Sequence, residues 1–312
     1  MRIKTTVWLG STCLRAAILL LVGFTCALAG PAEQGFREIT AGVYVFPGDR
    51  DKREPANLTL VIFKDFALVI DGNFPWGARE RLPKIKSVTD KPVRYLFDTH
   101  YHGDHAYGNS LYADQGATIV LSEATDQELR TKGAKGWKNW KDSQHSLAGA
   151  HIEPATITFS DKLVFDDGTQ RVELIRLGPG HTNGDAVAYL PKPGIVATGD
   201  LCVTWGYGNN VADPEANYDG WLAALDRMAS WNVHSVVPGH GPVAGPEALR
   251  TEREYLADML KQVKAGIAAG KTADQLSREI NLANHGTIAS SADANTTSIK
   301  AMFRHLKSEK SR

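Results

Sequence analysis

The chain has 312 residues, of which 43% are hydrophobic, so it is long enough for one large domain with a substantial core. Lysine plus arginine equals aspartate plus glutamate at 35 each. This balance gives no indication of nucleic acid or of an acidic surface as the main partner.

The first 29 residues have the pattern of an export signal. Arg2 and Lys4 form a basic start, and Arg15 is followed by an uncharged apolar run, Ala16 to Ala29, that ends in Ala27-Leu28-Ala29. This small-x-small ending predicts cleavage before Gly30. The run is shorter than the roughly 20 residues that a spanning helix needs, which argues against the alternative of a retained anchor. We therefore expect a periplasmic or secreted protein, with no stable membrane span after cleavage.

Beyond the signal, apolar runs separated by turn residues predict strands that alternate with helices. The predicted strands cover residues 42–47, 58–63, 66–71, 93–98, 118–121, 156–160, 163–165, 172–177, 186–190, 195–198 and 235–237. The predicted helices cover 77–88, 218–231, 246–269, 272–280 and 298–307, and residues 283–297 are predicted to form a loop. Two sets of strands with helices between and after them suggest layers in the order helix, sheet, sheet, helix.

One segment concentrates residue types that bind metal ions. It reads Asp-Thr-His-Tyr-His-Gly-Asp-His and places His100, His102, Asp104 and His105 within six positions. Imidazoles and a carboxylate this close together suit a divalent ion such as zinc. His100 and His102 are two residues apart, so an extended backbone would point both the same way. Asp104 and His105 are adjacent and more naturally serve a second ion.

Three later segments carry further candidate ligands. They are His181 in Gly-Pro-Gly-His, Asp200 in Ala-Thr-Gly-Asp, and His240 in Pro-Gly-His-Gly-Pro. Each lies on a glycine-containing turn directly after a predicted strand. Loops that a rigid sheet holds in place commonly carry the chemistry of a protein. We therefore expect all three to join the histidine-rich segment at one site.

With these motifs, the chain resembles the metallo-β-lactamase superfamily of metal-dependent hydrolases, from roughly residue 42 to residue 243. The resemblance implies a four-layer αββα sandwich. It implies that the first zinc ion is bound by His100, His102 and His181, and the second by Asp104, His105 and His240, with Asp200 bridging the two. Asp71 matches a family acid that supports the metal-binding loops from behind; the alternative is that Asp71 only begins a turn.

We therefore divide the chain into three parts. Residues 1–29 are the signal peptide, residues 30–245 form the metallo-β-lactamase-like catalytic domain, and residues 246–312 form a helical extension. We expect the extension to pack on the catalytic domain, since plain packing is the simplest role for it. Shaping of the substrate mouth and dimerisation remain alternatives, and the sequence does not define an oligomeric state.

The expected chemistry is hydrolysis of a small-molecule substrate. Two zinc ions share a water and lower its pKa towards neutrality, so that hydroxide attacks a carbonyl-type centre. Asp104 would orient this hydroxide as well as bind metal, and could shuttle a proton. We find no separate serine or cysteine nucleophile, and Cys202 fits a small buried side chain better than a ligand or redox group.

The substrate is less well defined than the reaction. A β-lactam amide or an ester is compatible with an exported hydrolase, and Trp205, Tyr207, Asn209 and Asn210 are the candidate pocket residues. The β-lactamases most similar in this region carry cysteine in place of Asp200 and lysine in place of Val203, and these differences weaken that assignment. The polar loop at 48–57 carries Arg50, Lys52 and Arg53, which either bind a substrate carboxylate or are simply solvated.

Two other classes of protein stay open. The first is an iron-dependent oxidoreductase of the persulfide dioxygenase type, which uses fewer ligands from the same set on the same fold. The second is a binding protein that keeps the fold without turnover, although a full set of ligands argues against it. The metal content would separate the hydrolase from the oxidoreductase, because two zinc ions favour the hydrolase and one iron favours the oxidoreductase.

Overall fold

The computed structural model describes residues 35–51, 56–141, 147, 149–205 and 211–309. The expected signal peptide lies outside these residues, as do Tyr207, Asn209 and Asn210 of the candidate pocket. Within the described residues, no helix is both long enough and apolar enough to cross a membrane.

Seven strands form the first sheet, in chain order from one edge to the other. They are β1 (Arg37–Thr40), β2 (Val43–Phe46), β3 (Leu58–Ile62), β4 (Ala67–Ile70), β5 (Val93–Phe97), β6 (Thr118–Ser122) and β7 (Ile157–Phe159). Strands β1 to β4 pair antiparallel, and β4 to β7 pair parallel. The change to parallel pairing brings the carboxyl ends of β4, β5 and β6 to one edge of the sheet, where loops can meet.

Five strands form the second sheet. They are β8 (Lys162–Asp166), β9 (Arg171–Arg176), β10 (Ala186–Leu190), β11 (Ile195–Ala197) and β12 (Ser235–Val237), and their order in the sheet is β12-β11-β10-β9-β8. All neighbours pair antiparallel except β11 and β12, which run parallel. The loops that follow β11 and β12 therefore leave the sheet at the same end.

Helices occupy the chain between and after these strands. In the first half they are α1 (Pro75–Val88), α2 (Gly103–Ala106), α3 (Asn109–Ala113), α4 (Glu123–Glu128), a π-helical turn (Leu129–Gly133) and α5 (Ala134–Lys141). In the second half they are a 3-10 turn (Gly199–Leu201), α6 (Tyr218–Ala229), α7 (Glu247–Ala268), α8 (Ala273–Glu279), a second 3-10 segment (Ala283–Ala289) and α9 (Ala292–Glu309).

Alternating side chains of the strands divide the core into three layers. On β2, Val43 and Val45 face the second sheet, in one cluster with Leu174 of β9 and Ala188 of β10. On the outer face of each sheet, the side chains are buried under helices. Leu60 of the first sheet packs in a cluster with residues of α1 and α3, and residues of the second sheet pack with α6, α7 and α9. The period of two along a strand produces this division, and it confirms the predicted order of helix, sheet, sheet, helix.

The predicted elements agree with the structure at most positions. Strand β1 and the short helices α2 and α3 were not predicted. The segment 283–297, predicted to be a loop because its residues are small and polar, is mostly helical, with a 3-10 segment and the first residues of α9. Helix α9 therefore begins before the predicted residue 298, and its packing against α8 and α7 compensates for its weak propensity. The helical run 123–141 was not predicted either.

Candidate metal centre

The histidine-rich loop follows directly from β5, which ends at Phe97. Asp71, which directly follows the neighbouring β4, holds this loop in place through hydrogen bonds. Its Oδ1 accepts hydrogen bonds from Thr99 N at 2.8 Å and from Thr99 Oγ1 at 3.0 Å, and its Oδ2 lies 3.1 Å from His105 Nδ1. Asp71 is 4% exposed and has a positive φ of 65°. The structure thus places Asp71 behind the ligands, where the family resemblance puts its supporting acid.

His100, His102, His181 and Asp200 form the first group of candidate ligands, with one donor atom from each lying within 4.8 Å of the others. The nitrogens His102 Nδ1 and His181 Nε2 are 3.1 Å apart. His100 Nε2 and His181 Nε2 lie 3.9 Å and 3.7 Å from Asp200 Oδ2. In a tetrahedral site with metal–nitrogen bonds of about 2.0–2.1 Å, donor atoms are about 3.3–3.4 Å apart. The spacing of this group is therefore close to that of a zinc site.

Asp104, His105 and His240 form the second group, again with one donor atom each within 4.8 Å of the others. His240 Nε2 lies 3.3 Å from Asp104 Oδ2, and His105 Nε2 lies 3.8 Å from the same oxygen. Asp200 also faces this group, because its Oδ1 is 3.3 Å from His105 Nε2 and 3.1 Å from His240 Nε2. One oxygen of Asp200 thus faces each group, which is the placement expected of a bridging carboxylate.

The position of Asp200 depends on close backbone packing. Asp200 lies in the 3-10 turn that follows β11, and Gly239 lies in the turn that follows β12. A Cβ on Gly239 would lie 2.1 Å from Asp200 Oδ1 and 2.7 Å from the carbonyl carbon of Gly199. Only glycine fits this approach, and it brings His240, the next residue, beside the carboxylate.

The donor atoms of the two groups are better suited to binding a metal ion than to forming hydrogen bonds with one another. Among the described residues, the buried Nε2 atoms of His100 and His105 have no hydrogen-bond partner of adequate geometry. A buried nitrogen left without a partner costs about 1–3 kcal/mol. Imidazole and carboxylate are the donors that zinc accepts in catalytic sites. The cluster therefore has the chemistry of a metal site, and the donors themselves do not identify the metal.

Burial keeps two of the first-group histidines neutral. It lowers the pKa of His100 well below its ordinary value, with a further contribution from His105, and it lowers the pKa of His181 to about 4. A neutral imidazole has the lone pair that a metal needs. For His105 burial acts in the same direction, but the charges of Asp71, Asp104 and Asp200 outweigh it and raise the pKa. The carboxylates that would hold a proton there would equally attract a cation.

The structure adds one residue that the sequence did not reveal. Asp213, in the segment before α6, places its Oδ2 2.9 Å from His102 Nε2. The other nitrogen of His102 faces His181, so the contact with Asp213 leaves Nδ1 as the donor to a metal. The other carboxylate oxygen of Asp213, Oδ1, accepts a hydrogen bond from Glu215 N at 3.0 Å, which fixes the carboxylate. No motif surrounds Asp213, and only the fold brings it to His102.

A second layer of polar contacts holds the loop that carries His181. Asp185 Oδ1 and Oδ2 accept from Thr182 Oγ1 at 2.6 Å and from Thr182 N at 2.9 Å. Glu128, which is 5% exposed, accepts from Asn183 Nδ2 at 2.8 Å and from Gly184 N at 3.2 Å. The helical run 123–141 therefore reaches the site through Glu128, although none of its residues belongs to either ligand group.

The candidate pocket is described in part. Trp205 lies beside the second group, with its ring 5.9 Å from the ring of His240 and inclined by 28°. Val203 is 5% exposed and belongs to the interior, and Cys202 is fully buried. Cys202 is thus the small buried side chain that the sequence suggested, and burial raises the pKa of its thiol well above the ordinary value.

A comparison with protein families defines the class. The sequence model that describes the metallo-beta-lactamase superfamily matches residues 51–240, which is more than half of the chain. This protein therefore belongs to the metallo-beta-lactamase superfamily, as its motifs suggested.

Individual relatives are distant. A linear primary-alkylsulfatase of a Pseudomonas species is 24% identical over 252 residues, covering 67% of this chain and 46% of that protein. A type 2 metallo-beta-lactamase of a Bacillus species is 29% identical over 169 residues, covering 53% of this chain and 58% of that protein. The chain thus spans about half the length of these two relatives.

Among solved structures, a metallo-beta-lactamase from Pontibacter korlensis superposes with a TM-score of 0.60 at 24% identity. The superposition covers 71% of this chain and 98% of that one. At this identity the likeness supports the αββα fold alone.

The contact between Asp213 and His102 gives a testable prediction about metal affinity. Asp213→Ala should weaken binding of zinc to the first group by about 10- to 100-fold, because the carboxylate no longer fixes the ring and its tautomer. Asp213→Asn keeps an oxygen acceptor and should recover part of that loss. Competition with a chromophoric chelator measures both affinities.

The matched control is Asp219→Ala, since the side chain of Asp219 is 81% exposed and lies in the first turn of α6. This variant should bind zinc as tightly as the parent. Equal zinc affinity in Asp213→Ala and the parent would show that Asp213 only shapes its own turn.

Proposed function

We propose that this protein is an exported hydrolase that holds two zinc ions and attacks a small carbonyl-type substrate, such as an ester or a β-lactam amide. The observation that carries the proposal is the pair of donor groups that share Asp200. Two divalent ions held there would supply an activated water at neutral pH and positive charge for the oxygens of the reacting group. Membership of a superfamily of metal-dependent hydrolases supports the same reading.

Asp104 is the residue of the chain that we assign to proton transfer. Its side chain is 19% exposed, whereas that of Asp200 is 1% exposed, so Asp104 is the ligand carboxylate that substrate and water reach more easily. A carboxylate there can orient the attacking water, accept its proton and pass that proton to the leaving group. Cys202 does not compete for a catalytic role, because its buried thiol is held in the protonated form.

Asp71 and Asp213 have positioning roles in this proposal. Each lies beside a histidine on the side away from the donor atom: Asp71 Oδ2 is 3.1 Å from His105 Nδ1, and Asp213 Oδ2 is 2.9 Å from His102 Nε2. Rings that are held in this way keep their orientation without reorganising when substrate binds.

Sulfate esters are a second candidate class of substrate. The match with the alkylsulfatase extends over two thirds of this chain, farther than the match with the Bacillus metallo-beta-lactamase. A sulfate ester presents an electrophilic centre and negatively charged oxygens to the same site. Panels of aryl acetates, a chromogenic cephalosporin and aryl sulfates separate these classes directly.

The role of Asp104 predicts a specific kinetic change. Asp104→Asn keeps the size of the side chain but removes its charge and its basic oxygen, so kcat should fall by about 100- to 10,000-fold on whichever panel substrate is hydrolysed. The effect on KM should be smaller, because the walls of the pocket do not change. Rates are measured at saturating zinc, together with the metal content of each preparation.

Asp114→Asn is the matched control for this variant, because Asp114 is an exposed carboxylate at the end of α3. It should keep the rate of the parent. An Asp104→Asn protein that carries its full metal content and turns over at the parent rate would contradict the proposed role.

We also propose export, on the basis of the basic start and the Ala-Leu-Ala site before Gly30. When the gene is expressed in a Gram-negative host, the soluble periplasmic fraction should contain a chain that begins at or near Gly30. N-terminal sequencing measures this. An intact Met1 on membrane-bound material would instead identify an anchor.

A further inference from the structure

A lysine in the π-helical turn joins two parts of the chain that are far apart in sequence. Lys132 Nζ is 2.9 Å from Glu128 Oε1 and 3.0 Å from Glu215 Oε1, so its ammonium group bridges two carboxylates. Glu128 ends α4, whereas Glu215 comes from the segment before α6. Burial lowers the pKa of Lys132, but the two carboxylates outweigh this effect and raise it, so the ammonium group keeps its charge at neutral pH.

Glu128 connects this ammonium group to the loop that carries His181. Its Oε1 accepts a hydrogen bond from Asn183 Nδ2 at 2.8 Å, and its Oε2 accepts one from Gly184 N at 3.2 Å. Only 6% of the Glu128 side chain is exposed. A charge that is buried to this degree needs partners, and Lys132 supplies the opposite charge.

Glu215 connects the same ammonium group to His102. Its backbone N donates to Asp213 Oδ1 at 3.0 Å, in the turn whose carboxylate contacts His102 Nε2. Its Oε2 accepts a hydrogen bond from Tyr101 Oη at 2.7 Å, and Tyr101 directly precedes His102 in the histidine-rich loop. Glu215 therefore reaches His102 along two routes, through the Asp213 turn and through the loop itself.

The π-helical turn has a defined position beside these loops. The carbonyl oxygen of Gly133, the last residue of the turn, accepts a hydrogen bond from Tyr107 Oη at 2.8 Å. Tyr107 is 4% exposed and lies two residues after His105. A Cβ on Gly136 would lie 2.6 Å from the same Oη, so the phenol also packs closely on α5. Single π-helical turns are frequent at functional sites, and this one presents Lys132 from a fixed backbone.

We propose that Lys132 is a positioning residue for the first metal ion. Its ammonium group holds the His181 loop and the turn at residues 213–215 at the separation that brings His102 Nδ1 and His181 Nε2 to 3.1 Å. Without this charge, two carboxylates that now face one ammonium group would repel each other, and both loops would relax apart. The inference rests on the metal centre of the proposed function and does not require turnover.

The second donor group is held by different contacts. Asn57 Nδ2 donates to the carbonyl oxygens of Pro238 and Gly241, each at 2.8 Å, and these residues lie on both sides of His240. Since Asn57 is 4% exposed, these hydrogen bonds are shielded from water. A positioning role for Lys132 therefore predicts an effect on one metal ion and not on the other.

Zinc affinity measured one site at a time tests this prediction. A His240→Ala background keeps the first donor group, and a His181→Ala background keeps the second. In the first background, Lys132→Met should weaken zinc binding by about tenfold, because contacts behind metal ligands set their orientation. In the second background, the same substitution should leave the affinity unchanged. Competition with a chromophoric chelator measures both affinities.

Two further variants separate the role of the charge from that of the helix. Lys132→Arg keeps the positive charge and should recover most of the affinity. Lys135→Met is the matched control, because Lys135 is exposed on α5, and it should bind zinc as the background does. Cobalt(II) gives a spectroscopic readout: its visible bands in the His240→Ala background should change in Lys132→Met and return in Lys132→Arg.

The proposal is overturned if Lys132→Met keeps the zinc affinity of the first background, if both backgrounds lose affinity equally, or if Lys132→Arg recovers nothing. Failure of both backgrounds to bind zinc would remove this proposal together with the zinc centre. A protein that shows the site-selective effect but hydrolyses none of the test substrates would keep the role of Lys132 and lose the hydrolase proposal. The two claims therefore fail separately.

Discussion

The site depends on one buried carboxylate shared between two sets of imidazoles. Asp200 presents one oxygen to His100 and His181 and the other to His105 and His240, at distances between 3.1 Å and 3.9 Å. Burying so many polar groups is unfavourable unless each finds a partner. Divalent cations between the two sets would satisfy the donors and balance the carboxylates at once. The arrangement is therefore understandable as a metal centre and is difficult to explain as a packed core.

The fold supplies this centre by bringing loop ends together. Strands β4 and β5 of one sheet deliver Asp71 and the histidine-rich loop, and β11 and β12 of the other deliver Asp200 and His240. Because the two sheets pack face to face, these loops converge at one edge of the sandwich. The outer helices contribute through contacts behind the ligands, as Glu128 does for the His181 loop. Rigid sheets thus carry the donors, and buried hydrogen bonds set their orientation.

The sequence predicts the seven candidate ligands because each follows an apolar strand and belongs to a local motif. It predicts the strands well for the same reason, since their burial imposes a period that can be read directly. Asp213 could not be predicted, because its relation to His102 exists only after α6 and the preceding loop have folded against the site. Helix α9 was placed too late because its first turn consists of small and polar residues. Its start is stabilised by Ser291 Oγ, which accepts from Ala294 N at 3.2 Å, and by Asn295 Oδ1, which accepts from Tyr255 Oη of α7 at 2.9 Å.

The central claim is that the two donor groups hold two zinc ions. Elemental analysis of protein purified without added metal, alongside His181→Ala and His240→Ala variants, tests it most directly. The account predicts two zinc ions per parent chain, loss of the first-group ion in His181→Ala, and loss of the second-group ion in His240→Ala. A single iron per chain, or variants that retain both metals, would contradict it and would favour an iron oxidoreductase or a different set of ligands.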